Sequence, residues 1–219
     1  GIQDYSLTID SIYIKTGIPP TKQDFYSFFN NNELMFEPGT NFSYSNSGFI
    51  LMAMIVERIT NDSYQKQIDR IINNYSGLNL KLISENVANP LTASYFNLKD
   101  SIFEYSPHWT WFKGDGGLTS SAIELAHFPF AWSKGQIISK KSYQEMTTPF
   151  KLKNNLNTGY GLGVRTGNFL GEPNIGHTGG DKSNFAIMKY YREKEISIVV
   201  FVNTRFTQAT AMNIENDVA

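Results

Sequence analysis

The chain contains no cysteine, and this absence excludes several functions at once. It leaves no disulfide framework, no thiol nucleophile and no cysteine-ligated metal site, although the compartment stays open. Histidine is scarce as well, and His108, His127 and His177 lack the spacing of zinc ligands. The sequence therefore indicates neither thiol chemistry nor a zinc site.

An excess of charge of one sign is also missing. The 19 Lys and Arg against 20 Asp and Glu give a net charge of -1, so no global field favours nucleic acid or an anionic membrane. No apolar run reaches the roughly 18 residues of a membrane span, and the opening GIQDYSLTID does not have the form of a signal peptide. Because it lacks an initiator methionine, we interpret this opening as the middle of a longer protein.

Apolar and aromatic residues are plentiful, at 41% and 14% of 219 residues, which is enough to bury the core of one large domain or two small ones. The pattern of residues 20–145 favours helices and loops. Residues 48–60 predict a buried helix, with Met52 and Ile59 among the apolar positions that cover its surface. Further helices are predicted over residues 63–74, from residue 121 onward, and over residues 142–146.

Local signals set the limits of these helices. In the second helix Ile71 is expected to face inward, and Gly77 is expected to lie beyond the end. Ser121-Ala-Ile-Glu124 is a capping box that opens the third helix. Pro129 should kink or end that helix early, because proline cannot donate the backbone hydrogen bond of a helix interior.

After Pro149 the pattern changes to that of strands. Candidates are residues 160–166, 185–191 and 196–203, and the last is so continuously apolar that it predicts a central strand buried on both faces. The tail, residues 207–219, is expected to form a helix packed on the sheet. Helices followed by a small antiparallel sheet predict an α+β fold.

Two polar stretches interrupt this pattern, and the first lies in FEPGTNFSYSNSGFILMAMIVERIT, residues 36–60. A tyrosine at a loop-to-helix junction, such as Tyr44, can accept a proton only if cations and donors lower its pKa from about 10. Asn46 would place both a donor and an acceptor beside it. In the simpler interpretation, Asn46 caps the helix and Tyr44 packs.

The second polar stretch is NIGHTGGDKSNFAIMKYY, residues 174–191. His177, Thr178, Gly179 and Gly180 stand just ahead of a predicted strand. Two glycines there would let the backbone approach a ligand closely and turn its N–H groups toward it. The simpler interpretation is a tight turn with a surface histidine, and neither stretch is decisive alone.

In this order, the two stretches resemble the serine β-lactamase and penicillin-binding-protein superfamily, in the branch of class C β-lactamases, D-alanyl-D-alanine carboxypeptidases, D-amino-acid peptidases and related esterases. The family carries Ser-x-x-Lys, then Tyr-x-Asn, then Lys-Thr-Gly or His-Thr-Gly. Tyr44-Ser45-Asn46 matches the second motif and His177-Thr178-Gly179 the third. The stretches GDGGLTSSAIELAHF, KGQIISKKSYQEMTTP and YGLGV are also similar to the family. The resemblance covers most of the chain and implies a β-lactamase/transpeptidase-like fold.

The resemblance also implies acid–base roles. Tyr44, with its pKa lowered by the family's lysine and by protonated His177, would carry the proton from the nucleophile to the leaving group. Asn46 would orient that lysine and bind the amide of the substrate.

The third motif would bind the substrate. Thr178 and Gly179 would line the strand against which the substrate lies, and the N–H of Gly180 would form half of an oxyanion hole. The family's chemistry needs no metal and no cofactor.

One family motif has no counterpart in its expected place. Ser-x-x-Lys occurs only as Ser63-Tyr-Gln-Lys66, which follows Tyr44 instead of preceding it, and we interpret Ser63 as a helix N-cap. The nucleophile helix and the N-terminal strands of the fold are therefore expected to lie ahead of Gly1. Without those strands, residues 196–203 would present an apolar edge that self-associates or pairs with the missing segment.

Together these features predict a portion of a serine hydrolase, a β-lactamase-related peptidase, amidase or esterase that acts through an acyl-enzyme and is inactive as this chain alone. Residues 1–148 would form a mostly helical region and residues 149–219 a sheet region of one incomplete catalytic domain. The expected substrate is a small molecule or a D-amino-acid peptide or ester, because histidine in the third motif supplies no fixed positive charge for a β-lactam carboxylate. No nucleic acid partner and no membrane span are expected.

Two alternatives belong to other classes of protein. One is a catalytically inactive penicillin-binding-like module that binds peptidoglycan-type ligands. The other is a structural helical domain in which Tyr44 and His177 lie far apart. The sequence leaves the location open, and only the family resemblance favours the bacterial periplasm or the extracellular space.

Overall fold

The computed structural model describes residues 1–74, 78–82, 94–98, 101–105, 113–180 and 184–203. The helices of these residues are α1 (Ile9–Thr16), α2 (Lys22–Asn31), α3 (Asn46–Thr60), α4 (Tyr64–Ile68), α5 (Ala122–Ser133) and α6 (Lys140–Thr147). The strands are β1 (Lys81–Leu82), β2 (Ser94–Leu98), β3 (Ser101–Tyr105), β4 (Leu118–Thr119), β5 (Arg165–Phe169), β6 (Glu172–Gly180), β7 (Phe185–Tyr191) and β8 (Ile196–Val202). Gly77 and the predicted C-terminal helix, residues 207–219, lie outside the described residues.

The main sheet is antiparallel and has the order β5-β6-β7-β8. Helix α5 packs against β7 and β8. In the sheet register Arg165 on β5 lies opposite Gly176 on β6, and His177 lies opposite Met188 on β7. Helices and an antiparallel sheet in separate parts of the chain confirm the predicted α+β class.

Strand β8 does not have the central position predicted for it. Among the described strands it lies at the edge of the sheet, which is the position that the family resemblance led us to expect for residues 196–203, and Ile196 and Phe201 are 49% and 43% exposed. Its run of apolar residues reflects the contact with α5, whereas a central strand would have a neighbour on each side. The strand predicted over residues 185–191 is confirmed as β7.

The strand predicted over residues 160–166 begins only at Arg165. Residues 160–164 form a loop in which Gly163 has a φ of +86°, a left-handed conformation that suits glycine. Sequence reasoning also missed the β2–β3 hairpin and the β1–β4 pair, both in the region expected to contain helices and loops.

The helices differ from the prediction in their details. Helix α3 is less buried than expected, since Met52 and Ile59 are 62% and 77% exposed. Helix α4 continues as a π-helix over Asp69–Asn73, which confirms the predicted helix but leaves Ile71 exposed instead of inward-facing. The capping box at Ser121 is confirmed, yet Pro129 lies fully buried inside α5 and the helix continues to its end at Ser133. Burial of the proline ring compensates for the lost backbone hydrogen bond.

A buried cluster fixes the position at which α3 begins. Tyr5 and Ile9 from the N-terminal segment pack with Phe25 and Phe28 of α2 and Ile50 of α3.

No helix in the described part of the chain is long and apolar enough to cross a membrane.

Candidate active site

A cavity of about 580 Å³ lies where the start of α3 faces strands β5 to β7. All six residues predicted from the two polar stretches line it: Tyr44, Asn46, His177, Thr178, Gly179 and Gly180. Tyr44 and His177 have ring centroids 5.7 Å apart although about 130 positions separate them in the chain. The alternative of a structural domain, in which these two residues lie far apart, is therefore wrong.

Tyr44 lies among aromatic rings just before the start of α3. Its ring centroid lies 6.0 Å from those of Phe49 and Tyr160, and the guanidinium carbon of Arg165 lies 5.8 Å from it. Burial raises the pKa of Tyr44, Asp115 raises it further, and Arg165 partly opposes both. The lowered pKa expected from the sequence is therefore not present in this chain, and Tyr44 is protonated at neutral pH.

Asn46 does not cap α3. It is the first helical residue, and its backbone N–H and side-chain Nδ2 both donate to Oδ2 of Asp4, at 2.7 and 3.2 Å. The other carboxylate oxygen of Asp4 accepts a hydrogen bond from the backbone N–H of Ser6 at 2.9 Å. Because Nδ2 is committed to Asp4, the amide of Asn46 has a fixed orientation at the edge of the cavity.

The N-terminal segment holds this junction in two further places. The backbone N–H of Tyr5 donates to Oγ of Ser47, a fully buried residue, at 2.8 Å. The hydroxyl of Tyr5 donates to Oδ2 of Asp115, a cavity residue, at 2.6 Å. Sequence reasoning missed Asp4 and Asp115, although both stand in the quoted stretches GIQDYSLTID and GDGGLTSSAIELAHF.

The His-Thr-Gly segment forms the end of β6, and not the tight turn of the simpler interpretation. The His177 ring contacts the hydroxyl of Tyr160 through Nε2 at 2.9 Å and the backbone oxygen of Thr178 through Nδ1 at 2.5 Å. Burial is the main cause that lowers the pKa of His177, and Arg165 lowers it as well. His177 is therefore mainly neutral at pH 7.

Arg165 supplies a positive charge that sequence reasoning did not foresee. It is the one lysine or arginine among the described residues that line the cavity. Its guanidinium carbon lies 5.7 Å from the ring centroid of Tyr160, and its charge acts on His177 as well. The third motif thus supplies no fixed positive charge through His177, as expected, but Arg165 of β5 brings one into the same cavity.

The two glycines of the third motif meet different surroundings. A Cβ atom added to Gly179 would have no heavy atom within 4 Å, so this position opens into the cavity. A Cβ atom on Gly180 would lie 2.9 Å from the backbone oxygen of Asn184. A ligand can thus approach the backbone of Gly179 closely, as expected for a strand that binds substrate.

Two alanine substitutions in β6 should therefore differ in their cost. In Gly176→Ala the new Cβ would lie 2.0 Å from the backbone oxygen of Met188, which cannot move away without distorting the sheet. We expect the free energy of unfolding to fall by about 1 to 3 kcal/mol. Gly179→Ala should change it by less than about 0.5 kcal/mol. Urea denaturation of both variants measures the difference, and equal losses would contradict this packing.

Most of this chain is similar in sequence to known proteins. A family model described as Beta-lactamase matches residues 6–218. Penicillin-binding protein 4* of Bacillus subtilis (strain 168) is 26% identical over 194 residues, which cover 80% of this chain and 43% of that protein. The D-aminopeptidase of Gluconobacter oxydans (strain 621H) is 24% identical over 172 residues, which cover 78% of this chain and 33% of that protein. The chain thus spans less than half the length of these two relatives.

The same fold occurs in a solved structure. The penicillin binding protein from Bacillus halodurans superposes with a TM-score of 0.83 at 20% sequence identity. The superposition covers 100% of this chain and 69% of that one. This similarity confirms the predicted β-lactamase/transpeptidase-like fold.

Proposed function

The chain belongs to the beta-lactamase family, and we propose that it carries the acid–base and substrate-binding part of a serine hydrolase that acts through an acyl-enzyme. The observation that carries this proposal is the single cavity that Tyr44, Asn46 and the segment from His177 to Gly180 line together. Residues 1–148 and 149–219 would then contribute to one catalytic domain, because the cavity lies between them.

The nucleophile is proposed to come from outside these 219 residues. Ser63, in the one Ser-x-x-Lys of the sequence, accepts a hydrogen bond from the backbone N–H of Lys66 and caps α4. Lys66 itself pairs with Asp62 at 2.8 Å and is exposed. Both side chains are thus used at a helix start, and neither lines the cavity.

Proton transfer is proposed for Tyr44. In this chain its hydroxyl is protonated, because burial and Asp115 raise its pKa. A lysine ammonium brought beside it would lower that pKa and let the phenolate accept the proton of the attacking serine. Asn46, held by Asp4, would orient that lysine through its amide oxygen.

Substrate binding is proposed for β6. The acyl carbonyl would place its oxygen at the N–H of Gly180, and its chain would lie along Thr178 and Gly179, where the wall is open. A cavity of about 580 Å³ accommodates a small molecule or a short peptide. We propose a D-aminoacyl amide, peptide or small ester, in keeping with the D-aminopeptidase relative.

A pair of enantiomers tests this function in the full-length protein, meaning these 219 residues together with the segment proposed to supply the nucleophile. D-Alanine p-nitroanilide should be hydrolysed at least about tenfold faster in kcat/KM than L-alanine p-nitroanilide, because a chiral site misplaces one enantiomer. The chromogenic cephalosporin nitrocefin measures β-lactamase activity beside them. Tight binding of these compounds without any turnover would instead support the inactive penicillin-binding-like module.

A further inference from the structure

Tyr160 contacts His177 through a hydrogen bond that the family motifs do not include. The distance from its hydroxyl oxygen to Nε2 of His177 is 2.9 Å. The other ring nitrogen, Nδ1, lies 2.5 Å from the backbone oxygen of Thr178. Both nitrogens of the imidazole are therefore engaged by the protein.

The chemistry of the two partners sets the direction of both hydrogen bonds. A carbonyl oxygen can only accept, so the hydrogen of the neutral imidazole lies on Nδ1 and is donated to Thr178. Nε2 then carries a lone pair and must accept from Tyr160. Burial raises the pKa of Tyr160 to about 12, so its hydroxyl keeps the proton that this bond requires at neutral pH.

Tyr160 is fixed firmly enough to direct the ring. Its side chain is only 7% exposed, and its ring packs against Phe42 at a centroid distance of 5.6 Å. Its backbone oxygen accepts from the N–H of Phe150 at 2.9 Å, and its N–H donates to Oγ1 of Thr158 at 3.2 Å. Loss of its hydroxyl should therefore leave the loop in place.

Burial and the charge of Arg165 lower the pKa of His177 and favour a neutral ring, whereas the hydrogen bond to Thr178 raises that pKa. The groups that line the same cavity are Tyr44, Tyr160, Arg165 and Asp115, and on the neighbouring strand Met188 is apolar. The positive charge of Arg165 opposes a second positive charge on the imidazole. Among the described residues, no carboxylate is hydrogen-bonded to the ring.

We propose that Tyr160 is a positioning residue whose hydroxyl donates to Nε2 of His177 and holds the ring in the neutral form with hydrogen on Nδ1. The importance of this contact for turnover rests on the proposed function, whereas the contact itself does not. His177 then forms a rigid wall of the cavity and exchanges no proton with the substrate. Proton transfer is left to Tyr44 and fixed positive charge to Arg165.

Nitrogen-15 NMR of the full-length protein, labelled in histidine, tests directly whether the hydrogen of the His177 ring lies on Nδ1. At pH 7 the His177 signals, assigned by their loss in His177→Gln, should show a protonated Nδ1 and an unprotonated Nε2. A hydrogen on Nε2, or on both nitrogens, would overturn the proposal without any need for a variant of Tyr160.

Tyr160→Phe tests whether the hydroxyl of Tyr160 holds the His177 ring in this form. Tyr26→Phe is the matched control because that exposed tyrosine lies on α2, away from the cavity. Without the donated hydrogen bond, Tyr160→Phe should shift His177 toward the form with hydrogen on Nε2 and raise its titration midpoint, because that bond stabilises the neutral ring. Tyr26→Phe should change neither the position of the hydrogen on the His177 ring nor its titration midpoint. An unchanged His177 spectrum in Tyr160→Phe would contradict the proposal. Absence of hydrolysis in every variant would bear on the proposed function and leave this result intact.

Discussion

Tyr44→Phe is expected to lower kcat of the full-length protein on an activated ester by roughly 10² to 10⁴, the usual range for a general acid–base group, with a smaller change in KM. The substitution removes the hydroxyl but keeps the ring that packs against Phe49, Tyr160 and His177. Its effect should therefore fall on proton transfer rather than on the shape of the cavity. Steady-state kinetics with p-nitrophenyl acetate measures it.

Tyr143→Phe is the matched control for this experiment. Tyr143 is a buried tyrosine on α6 whose pKa is also raised by burial, but it does not line the cavity. Its substitution should leave kcat within about twofold of the unsubstituted protein. If Tyr44→Phe behaved like Tyr143→Phe, another group would have to act as the base.

Covalent labelling by an active-site probe is expected in the full-length protein and not in the 219-residue chain. The 219-residue chain alone should form no acyl-enzyme with a fluorescent penicillin or a fluorophosphonate probe, whereas the full-length protein should be labelled. The reason is that Ser63 serves as the cap of α4 and that Tyr44 stays protonated, since no lysine lines the cavity in the described part of the chain. Gel fluorescence after incubation with either probe measures the difference.

Ser63→Ala in the full-length protein is the control for the labelled position. It should keep the label and lose about 1 kcal/mol of stability, the usual cost of a missing N-cap.

The full-length protein should also be more soluble than the 219-residue chain, because β8 lies at the edge of the described sheet with Phe201 partly exposed. Light scattering should therefore detect self-association of the 219-residue chain and less of it in the full-length protein. A soluble, monomeric 219-residue chain that is labelled at Ser63 would contradict this prediction.

Features that depend on neighbouring residues were predictable from the sequence. The capping box at Ser121 needs only residues three positions apart, and the apolar run of β7 indicates a strand by itself. Tyr44 and His177 could be placed in one site because ordered motifs indicated a family, and the structure brings their rings together. Their catalytic roles stay predictions until turnover is measured.

Features that depend on distant residues were not predictable. Arg165 reaches the cavity because β5 pairs with β6, and Asp4 reaches Asn46 because the N-terminal segment packs on α3. Neither contact leaves a local pattern. The apolar run of β8 predicted a central strand, because such a run shows that a strand is covered but does not show whether a helix or another strand covers it. The edge position was expected only from the family resemblance.

The crystal structure of the full-length protein after reaction with a fluorophosphonate tests the central claim most directly. The phosphorus atom should be bonded to the serine of a Ser-x-x-Lys motif outside these 219 residues. The phosphonyl oxygen should lie about 2.7 to 3.1 Å from the backbone nitrogen of Gly180, beside the hydroxyl of Tyr44. A phosphonyl group on Ser63, or on any serine away from the cavity that Tyr44 and His177 line, would contradict the assignment of this cavity as the active site.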